Sequence, residues 1–174
     1  MKKLLIVILV LALLCAVPIF MKNSSAEPAA PAEPVEEQLP PESSGFSFST
    51  TDLEGNACDE SMFSGYELIM INFWEPWCGP CVAEMPDLQR ISQDYADKGL
   101  LLVGVFSTAD GAAQIVESNG ITYPVLNFCD AFMPFQTGYV PTTVFMDAEG
   151  NLLSEPYIGA ASYEQWAQRI DSLL

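Results

Sequence analysis

Two nearly uninterrupted apolar runs, Glu67 to Trp74 and Leu100 to Phe106, have the character of strands buried on both faces of a sheet. Between them the apolar residues Val82, Met85, Leu88, Ile91 and Tyr95 recur every three or four positions. This predicts an amphipathic helix from Pro80 to about Asp97, closed by Lys98 and Gly99. Strand, helix and strand in that order form a βαβ unit with a right-handed crossover, so the sheet is expected to be at least partly parallel. Upstream, Phe46 to Leu53 alternates apolar and polar residues and Glu54, Gly55 and Asn56 follow as a turn, predicting a short hairpin with Cys58 on its second arm. Downstream the pattern gives a short helix from Gly111 to Asn119, a strand from Ile121 to Leu126 and a second helix from Asp130 to Gly138. Thr142 to Met146 and Leu152 to Tyr157 read as strands joined by the turn Asp147 to Asn151. Ser162 caps a closing helix through Ile170, with Trp166 and Ile170 on one face.

Ahead of these elements the pattern changes. Met1, Lys2 and Lys3 precede 18 uncharged residues, Leu4 to Met21, close to the ~20 that span a bilayer as a helix. Basic residues on that side predict a cytoplasmic N-terminus and a remainder outside the cytoplasm. Residues 1–21 are therefore expected to be a retained membrane anchor, although Ser24, Ser25 and Ala26 offer a small-x-small site where a secretory signal would be cleaved. Lipid attachment at Cys15 would need a small residue directly before it, and Leu13 and Leu14 stand there instead. Residues 22–45 hold five Pro and five Glu, a composition that builds no core and reads as a solvated linker. Residues 46–174 remain as one domain of ordinary size.

The chain carries a formal charge of −17, and beyond residue 45 only Arg90, Lys98 and Arg169 are basic, which disfavours nucleic-acid binding. Histidine is absent, so Ser-His and Cys-His nucleophile pairs and His-bearing metal sites are excluded.

The candidate chemistry lies at the junction of the first buried strand and its helix, where Cys78 and Cys81 are separated by Gly79 and Pro80. A thiol at a helix N-terminus meets unpaired N–H groups and the positive end of the dipole, both of which favour the thiolate. Cys78 is the expected nucleophile. Cys81, one turn into the helix, can attack a mixed disulfide on Cys78 and release the partner.

The segment Asn72 to Cys81 resembles the active-site segment of the thioredoxin-like superfamily, and Val140, Pro141, Thr142 and Thr143 resemble its later proline loop. The resemblance implies an α/β thioredoxin-like fold: a central mixed sheet flanked by helices, an N-terminal β-hairpin and an insertion before the strand that follows the cis proline. It further implies a cis Pro141 facing the cysteines, and a substrate-binding surface of Trp77, Gly79, Pro80, Val140 and Pro141. The run from Trp77 through Cys81 and Glu84 to Pro86, with the leader, is similar to the TlpA/ResA type of anchored thiol-disulfide oxidoreductase. On that likeness Glu84 modulates thiol ionisation; the alternative is an ordinary acidic residue favoured by the helix dipole. The implied partners are protein disulfide substrates and a membrane or soluble thiol electron donor, with no cofactor and no metal, and cytochrome c maturation as a possible setting.

Two positions depart from thioredoxin. Asn72 stands where thioredoxin has a buried aspartate, and Asn cannot take a proton. Glu75 stands where a small residue is common, and is expected on the surface. Trp74 is expected in the core. Cys58 and Cys129 are candidates for a second disulfide, extra redox centres or inert buried thiols, and they lack the paired spacing of a zinc site. Two other functions compete. A peroxiredoxin-like peroxidase would place Thr or Ser where Glu75 stands, and a redox-inactive binding module would keep Cys78 and Cys81 as a permanent bridge.

Overall fold

The computed structural model describes residues 45–174; the expected anchor at 1–21, and the linker at 22–45 except for its last residue, lie outside the described residues. In chain order the elements are β1 (Ser49–Thr51), β2 (Ala57–Asp59), β3 (Leu68–Phe73), α1 (Gly79–Asp94), β4 (Leu100–Phe106), α2 (Ala112–Ser118), β5 (Val125–Asn127), β6 (Thr142–Met146), β7 (Tyr157–Ile158) and α3 (Tyr163–Asp171). β1 and β2 form the expected hairpin, and the others form a five-stranded sheet in the order β5-β4-β3-β6-β7. β3, β4 and β5 are parallel, while β6 is antiparallel to both of its neighbours, β3 and β7, so the sheet is mixed and the fold is thioredoxin-like.

Every residue of β3 and β4 is buried, because the sheet is covered on both faces. On one face Leu68 and Met70 meet Leu88 and Ile91 of α1 and Trp166 and Ile170 of α3. On the other, Ile69, Ile71 and Phe73 meet an aromatic layer of Phe48, Phe63 and Phe132, drawn from the hairpin region and from the 3-10 turns Glu60–Phe63 and Asp130–Phe135. Each such large side chain stabilises the fold by about 1.5–3 kcal/mol through burial.

Two turns share one local grammar. In Asp52 to Asn56 and again in Asp147 to Asn151, the Asp carboxylate accepts from the backbone N–H two and four residues on, and its second oxygen accepts from the Asn side chain. Glycine fills the position before each Asn with φ +86° and +87°, a left-handed conformation that side chains resist.

Several expected boundaries move. The helix expected to reach Asp97 ends at Asp94 and is followed by a 3-10 turn, Ala96–Lys98, closed by Gly99. The strand expected over 121–126 shrinks to Val125–Asn127: Ile121 N–H is bound to Val116 O and Thr122 N–H to the Gln89 side chain, and Pro124 has no N–H to offer. The helix expected over 130–138 is only a 3-10 segment, Asp130–Phe135, because Pro134 removes an α-helical donor. The strand expected over 152–157 reduces to one bridge, Leu152 to Met146, and the short β7 beyond Pro156. Among the described residues no helix is long and apolar enough to cross a membrane.

Candidate active site

Cys78 is the N-cap of α1: its sulfur accepts the Cys81 N–H at 3.3 Å and so satisfies one of the helix's orphan donors. The two cysteines form a disulfide, and both are buried, at 5% and 1% exposure. Pro80 sits in the first helical turn, where its missing N–H leaves no bond unmade. Gly79 and Pro80 are exposed beside the disulfide, and Trp77 is 70% exposed.

The loop before β6 faces this helix end. The Val140–Pro141 bond is cis, and the Val140 carbonyl oxygen lies 3.7 Å from Cys78 Sγ. Strand β6 lies directly beside β3, with Thr143 opposite Asn72 and Thr142 opposite Phe73. That pairing brings residues 62 apart in sequence to a common edge.

Beneath the disulfide lies a buried polar cluster. Glu84, 4% exposed, accepts from Asn72 Nδ2 at 3.1 Å through one oxygen and from the Ala161 N–H at 3.1 Å through the other. Asn72 also donates to Thr143 Oγ1 at 3.0 Å. Glu84 is therefore a buried, hydrogen-bonded carboxyl and not a solvated one on the helix surface. Burial pushes its carboxyl up to about 7, against the opposing pull of the Ala161 and Asn72 donors. The neighbouring Trp166 indole N–H, which lacks a partner of proper hydrogen-bond geometry, also favours the ionised form. Tyr123 is buried nearby, and its phenol is pushed well up by burial and then by the charge of Glu84.

Glu75 corrects an expectation: it is 7% exposed, not a surface residue. Its carboxylate accepts from the backbone N–H groups of Ser107 and Thr108 at 3.0 Å each and from the Ser107 hydroxyl. The cause is the parallel pairing of β3 and β4, which sets the residues leaving their C-terminal ends side by side. Trp74 is in the core at 1% exposure, as expected. Cys58 and Cys129 are free, half-buried thiols, and burial, then the Asp52 charge, pushes the Cys58 thiol up.

Sequence reasoning missed Ala161, Thr143, Ser107 and Thr108 as partners of the site carboxylates. Thr143 was within reach once Asn72 and the proline loop were read together; nothing local marked Ala161, whose contribution is a backbone N–H.

The Redoxin family model matches residues 34–153. The thiol-disulfide oxidoreductase ResA of Oceanobacillus iheyensis is 33% identical over 90 residues, covering 48% of this chain and 46% of that one. The thioredoxin-like protein YneN of Bacillus subtilis is 26% identical over 108 residues, covering 59% of this chain and 63% of that one. The chain thus spans about half of the first relative and just under two thirds of the second. A thiol:disulfide interchange protein of the thioredoxin family from Chlorobium tepidum TLS superposes with a TM-score of 0.65 at 25% identity, covering 74% of this chain and 94% of that one.

Proposed function

Because this chain belongs to the Redoxin family, we propose that it is a thiol-disulfide oxidoreductase that reduces disulfides in proteins outside the cytoplasm through Cys78 and Cys81. The observation that carries this reading is the position of Cys78: its sulfur caps α1, sits 3.7 Å from the Val140 carbonyl and lies beside an exposed Trp77.

In the reduced protein the Cys78 thiolate attacks one sulfur of a substrate disulfide. The substrate S–S bond breaks, a mixed disulfide forms on Cys78, and one substrate sulfur leaves as a thiolate that takes up a proton. Cys81 then loses its proton and attacks Cys78 Sγ, forming the Cys78–Cys81 bond and releasing the second substrate sulfur. Two electrons pass from the dithiol to the substrate, and a thiol donor supplied by a partner restores them. The backbone around Val140 and Pro141, with Trp77, Gly79 and Pro80, is the surface on which the substrate chain lies. Glu84, three residues beyond Cys81 on α1 and poised near neutral pH, tunes the ionisation of the pair.

The leader at residues 1–21 would tether the domain to the outer side of the cell membrane, and the maturation of c-type cytochromes is one pathway that requires such a reductant. Trapping tests the roles. With Cys81→Ser, a mixed disulfide with protein substrates is expected to accumulate through Cys78; with Cys78→Ser, none. Trapping only in the Cys78→Ser variant would reverse the assignment.

A further inference from the structure

A cleft of about 300 Å³ is walled by Phe73, Phe106, Phe128, Met133 and Val140, with Glu75 and Ser107 also on its lining. Its volume is at the lower end of the roughly 300–1,000 Å³ of small-molecule sites, so it suits one or two side chains better than a free ligand. Val140 is common to the cleft and to the disulfide, since its carbonyl lies 3.7 Å from Cys78 Sγ. A substrate chain lying on the proline loop would therefore pass the mouth of the cleft.

Glu75 sets the chemistry. A carboxylate offers about four acceptor sites, and three are filled by the two N–H groups and the hydroxyl of Ser107 and Thr108. None of these donors is a cation. All three basic residues of the described region are engaged elsewhere, Arg90 over Tyr163, Lys98 over Tyr95 and Arg169 over Tyr157. Among the described residues nothing donates to the fourth acceptor site of this carboxylate, and no cation pairs with it. A long basic side chain completes it while laying its aliphatic stem along apolar walls.

Resting on the exchange reading above, we propose that this cleft selects a lysine or arginine close to the cysteine of the target disulfide, with Glu75 facing the cationic head. The domain's excess of acidic residues steers the same kind of basic segment toward it. An acidic side chain at that position is rejected by like charge.

The test is single-turnover exchange by the dithiothreitol-reduced protein, freed of excess reductant, with short peptides whose one cysteine is joined to 2-thiopyridine. The peptides carry Lys, Ala or Glu at each of the two positions on either side of the cysteine. Each rate is divided by the same protein's rate with the neutral pyridyl disulfide of 2-mercaptoethanol, and then by the corresponding ratio for dithiothreitol alone. In 1 M salt, where the Debye length is about 3 Å, long-range steering is suppressed and a contact preference persists. Lys over Glu by about tenfold or more is expected at one position, falling toward unity in Glu75→Gln.

Equal rates for Lys and Glu in the unmodified protein at 1 M salt would overturn the proposal, whether or not the variant folds. An unchanged Lys-to-Glu ratio in Glu75→Gln would overturn it too, leaving Glu75 as a brace for the Ser107–Thr108 loop. Absence of exchange with every disulfide, the neutral one included, would remove the parent reading itself, an outcome distinct from exchange without charge preference.

Discussion

Replacing Glu84 with glutamine is expected to invert the stability order of the two proteins as pH rises. The folded protein holds the Glu84 carboxyl at about 7 against an ordinary value of 4.5, so between those limits the folded state binds a proton that the unfolded state does not. Stability from this group is therefore full below pH 4.5 and is lost as pH rises toward 7. At 1.36 kcal/mol per pH unit the loss amounts to about 3 kcal/mol. Glutamine has no such slope. It has its own penalty, because both Glu84 oxygens accept N–H donors, from Asn72 and Ala161, and the amide NH₂ can accept neither. One lost buried hydrogen bond costs about 1–2 kcal/mol. The variant should thus be the less stable protein by about that amount near pH 4.5 and the more stable by a similar amount at pH 8. Urea unfolding of the oxidised proteins at half-unit pH steps measures the difference, in which groups common to both cancel. A difference that stays flat between pH 4.5 and 7.5 would refute the buried, proton-holding carboxyl.

Asn72→Asp places a second carboxyl against Glu84 and removes the donor that Asn72 gives to both Glu84 and Thr143; two carboxylates in contact cannot both ionise easily. Its destabilisation should grow from pH 5 to pH 8, and an equal penalty at both would contradict that coupling. Gly104→Ala brings a Cβ to 3.3 Å from Trp74 Nε1 and from Tyr123 Cε2, an overpacking expected to destabilise by about 1–3 kcal/mol. A change within about 0.5 kcal/mol, the usual range for surface substitutions, would show that these aromatics yield.

What was legible in the sequence had a local cause. The buried strands showed as apolar runs because β3 and β4 are covered on both faces, and α1 showed as a 3.6-residue period with the cysteines at its start. The two Asp-to-Asn turns were equally readable, since their hydrogen bonds close within five residues. The misreadings came where partners are distant. Ile121 to Leu126 looks like a strand, yet Thr122 is claimed by Gln89 of α1. Proline decided the lengths of the Asp130 segment and β7, Pro134 inside the first and Pro156 just ahead of the second. Glu75 looked like a surface residue because nothing near it in sequence can satisfy it; Ser107 and Thr108 lie 32 and 33 positions away. Glu84 could be read two ways from helical position alone, and only the convergence of β3, α1 and the start of α3 buries it. Glu75 therefore owes its environment to the adjacency of β3 and β4, and Glu84 owes its own to the packing of α1 and α3 on β3, both tertiary properties.

On the proposed function Cys78 and Cys81 exchange electrons and are not a fixed bridge. Equilibrating the purified protein across dithiothreitol and glutathione redox buffers, followed by alkylation and mass measurement, tests it most directly. A reversible transition that gains two alkylatable thiols, assigned to Cys78 and Cys81 and following a two-electron slope of about 30 mV per tenfold change in the ratio of dithiol to disulfide, is the expected result. A bridge that stays closed at every accessible potential would rule out exchange through this pair.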